Sequence, residues 1–242
     1  SLYANTTGSL NVAVGARTLD ANTTGSENVA LGNNALSANT TAGANTALGD
    51  SAMFYTTTGA NNVAIGQGSM YINTTGTHNV AIGNASLGLN TTASYNTALG
   101  YKSLYANTTG NYNVAVGGFA LDANTSANSN TAVGYSSLTA NTTGTDNTAL
   151  GRDALLSNTT SSNNTALGAS ALRLNTTGTL NTAVGTGSLA SSTTANYNTA
   201  VGNNTLNAST TGDYNTGLGY NAGASVTTGT QNTLIGGLAG DA

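Results

Sequence analysis

The side chains that could carry acid–base or metal chemistry are few and dispersed. His78 is the only histidine in 242 residues, there is no cysteine, and charged residues make up only 5% of the chain. Catalysis needs such groups held together within hydrogen-bond distance, and a lone histidine supports neither a Ser-His-Asp arrangement nor a His-rich metal site. We therefore expect no enzyme activity, no catalytic residue, no cofactor and no metal, and we interpret His78 as a solvated turn residue.

The acidic residues do not form a calcium-binding pattern either. Calcium-binding repeats place an aspartate at one recurring position of a glycine-rich loop. The eight acids here fall at scattered positions of the repeat described below: Asp20, Glu27, Asp50, Asp122, Asp146, Asp153, Asp213 and Asp241. Calcium binding is therefore not expected.

The charge balance argues against nucleic acid and membrane partners. The chain has four Lys and Arg residues and eight Asp and Glu residues, for a net charge of −4. Residues of neither charge form a run. A nucleic-acid binder needs a clustered basic surface, and a membrane span needs ~20 consecutive apolar residues. We expect neither partner, and we expect any export signal to lie outside this segment because the N-terminal residues lack basic and apolar regions.

An asparagine recurs at every seventeenth position along the whole chain, which indicates a stacked repeat. With that asparagine as position 1, the repeat is N-[VT]-A-[VLI]-G-x-x-[SA]-L-x-[AL]-N-T-T-[GAS]-x-x, with no insertion or deletion over thirteen periods. The asparagines at position 1 are Asn11, Asn28, Asn45, Asn62, Asn79, Asn96, Asn113, Asn130, Asn147, Asn164, Asn181, Asn198, Asn215 and Asn232.

Three positions are almost invariant and predict the geometry. Position 5 is always Gly, position 13 is Thr in every complete repeat, and position 9 is Leu or Met until Gly223 and Gly240 replace it. A disordered Asn/Thr/Gly tract is the alternative, but such a tract has no reason to keep phase. A stacked coil does, because one inserted residue would turn a core side chain outward.

The local sequence predicts strands and turns and disfavours helix. Alternation at positions 1 to 5 indicates a strand that places positions 2 and 4 on one side and positions 1, 3 and 5 on the other. Gly at position 5 permits a positive-φ turn. We predict a second short strand through positions 8 to 11, and closure of the coil by Asn-Thr-Thr-Gly, with Asn at position 12 bonding its own turn or its copy in the next coil.

The core predicted for one coil is thin, and the sequence leaves two packings open. Position 3 is Ala in all repeats except Gly217 and Leu234, which indicates a site where only a methyl group fits. In one packing, small residues fill the coil and the Val, Leu or Ile at position 4 faces other subunits. In the other, the position 4 aliphatics fill a monomeric coil.

We interpret residues 1–242 as one continuous repeat array that belongs to a longer chain or to a polymer. The sequence begins and ends in the middle of a repeat without a recognisable cap, and solenoids need caps or continued stacking. The repeat also drifts over 215–242, as though a boundary were near.

The repeat resembles known fibre sequences. The segment 96–110, Asn-Thr-Ala-Leu-Gly-Tyr-Lys-Ser-Leu-Tyr-Ala-Asn-Thr-Thr-Gly, is similar to repeats of phage tail fibres and large bacterial surface proteins. The Val-Ala-Ile-Gly segments at 63–66 and 80–83 resemble the head repeats of trimeric autotransporter adhesins. The resemblance covers the whole chain and implies a left-handed, homotrimeric β-roll in an extracellular attachment fibre of a virion or cell surface.

The fold class that we predict is therefore all-β, a parallel β-solenoid of about fourteen coils in which each coil is one complete repeat of seventeen positions. Its expected partners are other copies of the same chain, in a homotrimer or an end-to-end polymer, together with a cell-surface glycan or receptor.

Tyrosines are the candidate contact residues, because none occupies a core position. Outward aromatic rings can stack on sugars or pack against a neighbouring subunit, although ordinary surface tyrosines fit the pattern as well. The candidates are Tyr95, Tyr112, Tyr197 and Tyr214 at position 17 and Tyr101, Tyr135 and Tyr220 at position 6; Tyr3, Tyr71 and Tyr105 share position 10.

The Asn-Thr-Thr segments match the N-glycosylation pattern, but the same residues make good turn ladders. We favour the structural interpretation for Asn5, Asn22, Asn39, Asn73, Asn90, Asn107, Asn141, Asn158 and Asn175.

Two functional classes follow from the repeat. The first is a rigid shaft or head of a trimeric tail fibre or adhesin, with a self-assembling filament as its variant. The second is an ice-binding solenoid, in which threonines at positions 13 and 14 stack into files and at least one of each pair points outward.

Overall fold

The computed structural model describes residues 1–241, in which every regular element is a three-residue β-strand at positions 2 to 4 of a repeat. Among these residues, no helix has the length and apolar character needed to cross a membrane. Strands β1 to β7 are Val12–Val14, Val29–Leu31, Thr46–Leu48, Val63–Ile65, Val80–Ile82, Thr97–Leu99 and Val114–Val116; β8 to β14 are Thr131–Val133, Thr148–Leu150, Thr165–Leu167, Thr182–Val184, Thr199–Val201, Thr216–Leu218 and Thr233–Ile235.

The chain divides into two compact units, Ser1–Ser126 and Ala127–Ala242. In the first unit, β1 to β7 form a parallel sheet in chain order, and each residue pairs with its equivalent in the next repeat, as Val12 does with Val29. In the second unit, β8 to β14 do the same. The predicted parallel β-solenoid, with one repeat per coil, is confirmed.

The invariant threonine at position 13 bonds each coil to the next. The carbonyl oxygen of Thr91 accepts from the backbone N–H of Thr74 at 2.9 Å and of Thr75 at 3.1 Å. The Thr74 hydroxyl donates to the same carbonyl at 2.9 Å. Alanine at this position would lose this third bond.

The interior of each coil is narrow and holds small side chains around one large one. The alanine at position 3 and the leucine at position 9, such as Ala98 and Leu104, are fully buried. The aliphatic at position 4 faces outward instead, with Val14 54% and Leu31 50% exposed. Of the two packings that the sequence allowed, the structure has the one with small residues inside.

Two files of buried asparagine complete the interior and form hydrogen bonds along it. At position 1, the Asn79 side chain donates to the Ala93 carbonyl at 2.8 Å, while its backbone N–H donates to Asn62 Oδ1 at 2.9 Å. At position 12, Asn90 donates both to Asn73 Oδ1 at 2.7 Å and to the same Ala93 carbonyl at 3.0 Å. The predicted role of position 12, in its own turn and between coils, is confirmed.

The prediction of a second strand through positions 8 to 11 is wrong. The residue at position 9 adopts a left-handed backbone in every coil, as Leu104 does with φ 52°, and the segment is a turn. Positions 7 and 17 are left-handed as well, for example Lys102 at φ 51° and Tyr95 at φ 60°. Leucine rarely adopts this conformation, so propensity alone could not indicate it. The conformation directs the leucine into the coil.

Glycine at position 5 is required by both backbone conformation and space. Gly100 has φ 135°, and a Cβ placed on it would lie 2.7 Å from the carbonyl carbon and oxygen of Gly117 in the next coil. The predicted positive-φ turn is confirmed. The close approach of successive coils leaves no room for a side chain at position 5.

Near the end of the array, a leucine at position 3 replaces the leucines at position 9 as the side chain that fills the core. Leu234 stands at position 3 in place of Ala, while Gly223 and Gly240 stand at position 9 in place of Leu. A Cβ on Gly223 would lie 2.5 Å from Leu234 Cδ1, and a Cβ on Gly240 would lie 2.7 Å from Leu234 Cδ2. Leu234 therefore fills the space that two missing leucines leave.

Replacing Gly100 with alanine should lower the free energy of unfolding by at least about 3 kcal/mol, because strain and a steric clash with Gly117 act together. The matched control is Gly68→Ala, at position 7, where Ala85 already has a left-handed backbone and a Cβ meets no atom within 4 Å. We expect about 1 kcal/mol for G68A. Urea unfolding measures the free energy of unfolding of both variants. Equal losses of stability in G100A and G68A would contradict this role of position 5.

The exchange at the last coils predicts a compensating pair of substitutions. Leu234→Ala leaves a cavity and Gly223→Leu overfills the core, and each should cost about 2 kcal/mol. Together they restore the ordinary repeat, so the double variant should lie within about 1 kcal/mol of the parent chain. Additive losses in urea unfolding would show that Leu234 does not occupy the space beside Gly223.

Asn79→Asp tests the buried asparagine file through pH. An ionised carboxylate at this site cannot donate to the Ala93 carbonyl, so the new carboxyl should have a raised pKa in the folded chain. The variant should be closest to the parent below about pH 4 and lose about 3 kcal/mol as pH rises through that folded pKa. Asn61→Asp is the exposed control, with little change expected between acid and neutral pH. A pH-independent N79D deficit would contradict the prediction.

Candidate functional site: the outward-facing files of the coils

The candidate site lies on the outer surface of the coils. Within residues 1–241 there is no enclosed pocket, and no three His, Cys, Asp or Glu side chains lie close enough together to hold a metal ion. The solenoid repeats each outward position once per coil, so that side chains of one position form a file. These outward files are the candidate functional surfaces.

The strand face consists of the outward side chains at positions 2 and 4 of the strands. In the first unit, position 2 is valine in five strands and threonine in two; in the second unit it is threonine in all seven. Position 4 is always Val, Leu or Ile, and Leu218 and Ile235 are 46% and 65% exposed. Each unit thus presents a continuous strip of β-branched and aliphatic side chains to its surroundings.

The threonines at positions 13 and 14 have different roles. The hydroxyl at position 13 donates to the next coil, as from Thr57 to the Thr74 carbonyl at 3.1 Å. The side chain at position 14 is exposed in every coil, from Thr7 to Thr228. The prediction that at least one of each pair points outward is confirmed, but only the position 14 file is consistently exposed.

The tyrosines at position 17 stack into short columns on the surface. The rings of Tyr95 and Tyr112 are 5.4 Å apart and inclined by 11°, and those of Tyr197 and Tyr214 are 4.9 Å apart and inclined by 3°. His78 extends the first column, 4.9 Å from Tyr95, and is exposed as predicted. The left-handed backbone at position 17 holds the rings in register.

All seven candidate tyrosines lie outward as predicted, with between 47% and 61% of each side chain exposed: Tyr95, Tyr112, Tyr197, Tyr214, Tyr101, Tyr135 and Tyr220. Their role as contact residues stays a prediction. The structure brings the position 17 tyrosines together as two pairs in adjacent coils. The position 6 tyrosines lie in coils that are not adjacent.

Comparisons with protein-family models, with curated proteins and with solved structures found no match. The functional interpretation therefore rests on the surfaces of the coils and on the repeat itself.

The sequence did not reveal an aromatic cluster in the first unit. The rings of Phe54, Tyr55 and Tyr71 lie 4.6 to 5.5 Å apart. Burial raises the pKa of the Tyr71 hydroxyl above its ordinary value, and the nearby Tyr55 adds to this effect. Phe54 and Tyr71 share position 10, which is the signal that could have indicated the stack, but Tyr55 comes from position 11.

The asparagines of the Asn-Thr-Thr segments are inaccessible in the folded coil. Asn22, Asn39, Asn73, Asn90, Asn107, Asn141, Asn158 and Asn175 are all fully buried, and Asn5 is partly buried. An enzyme that attaches a glycan needs the side-chain nitrogen, which here donates to a carbonyl inside the coil, as from Asn175 to Gly178 at 2.9 Å. The structure therefore supports the structural interpretation of these segments.

Proposed function

We propose that this chain is a rigid structural segment of an extracellular fibre, and that it associates with other copies of itself through the strand face. The proposed assembly is a homotrimer in a phage tail fibre or a bacterial surface adhesin, where the outer files present contact surfaces to a host or a neighbouring cell. One observation carries this proposal: an aliphatic side chain at position 4 of every coil lies outside the core.

The position 4 aliphatics, seven of them exposed and seven half-buried, form one file in each unit, unlike scattered surface leucines. Contiguous apolar patches on soluble proteins mark interaction sites more often than isolated residues do. Burying a half-exposed Val or Leu contributes about 1 kcal/mol, so seven rungs of one unit supply enough to hold copies together. Because the rungs are evenly spaced, two copies of the strand face can match along their whole length.

The structure of the coil supports the shaft role. Successive coils share hydrogen bonds through the strand, the position 13 threonine and both asparagine files. Bending a unit would stretch several bonds at once, so each unit behaves as a stiff spacer. The resemblance of the repeat to tail fibres and adhesins supports an extracellular location, and the paucity of charged side chains supports partners other than nucleic acid.

Ice binding is the second candidate because the position 14 side chains, which are threonine in every coil except at Ser126, are exposed in each coil. The second unit adds a file of threonines at position 2 on the strand face. If ice binding is the function, micromolar protein should cause thermal hysteresis, and Thr75→Glu with Thr92→Glu should abolish it. Absence of hysteresis in the parent chain would eliminate this candidate.

The strand-face proposal predicts the solution mass of the chain and of two matched variants. The parent should have the mass of three 23.7-kDa chains by light scattering. Ile65→Glu with Ile82→Glu should give the mass of one chain, because two charges per copy would otherwise be buried in the interface. Thr75→Glu with Thr92→Glu adds the same charge at position 14 and should leave the trimer unchanged.

Each outcome decides between assemblies. A monodisperse monomer of the parent chain at about 0.1 to 1 mM, the range of the dissociation constants of weak complexes, would contradict the proposal. A large polydisperse mass that is insensitive to I65E/I82E would favour the end-to-end filament. Far-ultraviolet circular dichroism checks that both variants keep the fold.

A further inference from the structure

At position 17, the rings of two tyrosine pairs face each other across adjacent coils. The ring centres of Tyr95 and Tyr112 are 5.4 Å apart and those of Tyr197 and Tyr214 are 4.9 Å apart, with inclinations of 11° and 3°. About half of each side chain is exposed. A reagent in solution therefore reaches all four phenols, and each phenol has another one beside it.

Backbone hydrogen bonds hold adjacent coils together at the residues that carry these rings. The N–H of Tyr112 donates to the Ser94 carbonyl at 3.3 Å, and the N–H of Tyr214 donates to the Asn196 carbonyl at 3.1 Å. Beside the second pair, the N–H of Asn196 donates to Asp213 Oδ1 at 2.6 Å. The two Cα atoms of a pair thus stay about one coil spacing apart, ~4.8 Å, and only side chains have to move for the rings to touch.

Two phenols that face each other in this way can be joined by oxidation. A one-electron oxidant removes an electron and a proton from each hydroxyl group, which leaves a phenoxyl radical with spin density at the Cε carbons. Two such radicals form one Cε–Cε bond, and the hydrogen on each of these carbons then moves as a proton to its phenolic oxygen. One hydrogen peroxide, turned over by a haem peroxidase, accepts the two electrons and two protons and becomes two water molecules. The product is dityrosine.

The stack supplies the proximity that this coupling needs. Reacting groups that are held about 3 to 3.5 Å apart reach effective molarities far above any protein concentration. From the observed ring separations, facing carbons have to approach by about 1.5 to 2 Å to reach that range. Exposed side chains change rotamer within picoseconds to nanoseconds, so rotation about χ1 and χ2 brings the two Cε carbons together once both radicals have formed.

We propose that Tyr95 with Tyr112 and Tyr197 with Tyr214 are oxidative modification sites, at which a haem peroxidase and hydrogen peroxide form a dityrosine bond between adjacent coils. Each bond lies within one chain and closes a loop of one repeat, so it opposes the separation of neighbouring coils. The inference goes beyond the proposed function and does not rest on it, because both pairs belong to a single copy of the chain.

Other tyrosines of the chain serve as internal comparisons. Tyr101 and Tyr220 are exposed at position 6, where neither adjacent coil holds a tyrosine. The rings of Tyr55 and Tyr71 are 5.3 Å apart, but they are inclined by 82°, and Phe54 is stacked on Tyr71. We assign cross-links only to the pairs whose rings face each other.

Phenylalanine substitutions separate coupling from packing, because phenylalanine keeps the stacked ring and lacks the hydroxyl group that yields the radical. Tyr112→Phe with Tyr214→Phe removes one phenol from each pair. The matched control, Tyr101→Phe with Tyr220→Phe, removes the same number of exposed phenols and leaves both pairs intact. The parent chain and both double variants are treated in dilute solution with a haem peroxidase and limiting hydrogen peroxide.

Dityrosine fluorescence and the urea midpoint give the expected results. Y112F/Y214F should lower the fluorescence at least about tenfold, because the remaining phenols lack an aligned partner, and Y101F/Y220F should leave it unchanged. The parent chain should lose two hydrogen atoms per bond in its intact mass. Its midpoint of urea unfolding should rise after oxidation, whereas that of Y112F/Y214F should not.

Proteolysis of the unfolded product locates each bond, because a cleavage site lies between the tyrosines of each pair. Trypsin cleaves after Lys102, between the tyrosines of the first pair, and a protease that cleaves before aspartate acts at Asp213, between those of the second. We expect the two peptides that flank each cleavage site to remain joined in the oxidised parent chain.

Three results would overturn the inference: oxidation yields no dityrosine, the joined peptides map to other tyrosines, or Y112F/Y214F couples as well as the parent chain does. Denaturing electrophoresis distinguishes bonds within a chain from bonds between chains. A product with the size of one chain at every protein concentration supports the inference, and a ladder of linked chains contradicts it. Equal urea midpoints before and after coupling would overturn the stabilising role of the bond.

Discussion

The narrow interior of the coil is the constraint on which the rest of the structure depends. Successive glycines at position 5 approach so closely that no Cβ fits between them, and the strand beside them admits only a methyl group at position 3, except where Gly223 and Gly240 make room for Leu234. One leucine per coil, at position 9, supplies most of the apolar volume inside. The other aliphatic residue of each repeat has no room within and must lie on the strand face. An exposed apolar strip is therefore a consequence of how the coil closes.

This closure uses backbone conformations that L-residues seldom adopt. Three positions in each coil, 7, 9 and 17, are left-handed, and each costs on the order of 1 kcal/mol. Repeated hydrogen bonding between coils offsets that cost, most visibly where one threonine carbonyl accepts three bonds. The same left-handed turns set the outward files in register, which is why tyrosines of successive coils stack.

Much of the fold could be predicted from the phase of the repeat. The strand at positions 2 to 4, the turn at Gly100 and its equivalents, the buried leucine file and the outward tyrosines all follow from periodicity and residue size. The second strand could not be excluded, because nothing in a leucine such as Leu104 indicates a left-handed backbone. Leu234 fills the space of two leucines that are absent from position 9. This packing between coils is not indicated by any single position of the sequence.

Thiol labelling of single cysteines tests most directly whether the position 4 aliphatics lie outside the coil and between copies. The chain has no cysteine of its own, so Leu99→Cys reports on the strand face and Ser103→Cys, at a fully buried serine, reports on the interior. We predict that L99C reacts rapidly in dilute protein and more slowly as concentration and association rise, while S103C stays unreactive until the chain unfolds. Protection of L99C in a dilute monomer, equal to that of S103C, would place the aliphatic inside the coil and contradict the packing on which the strand face depends.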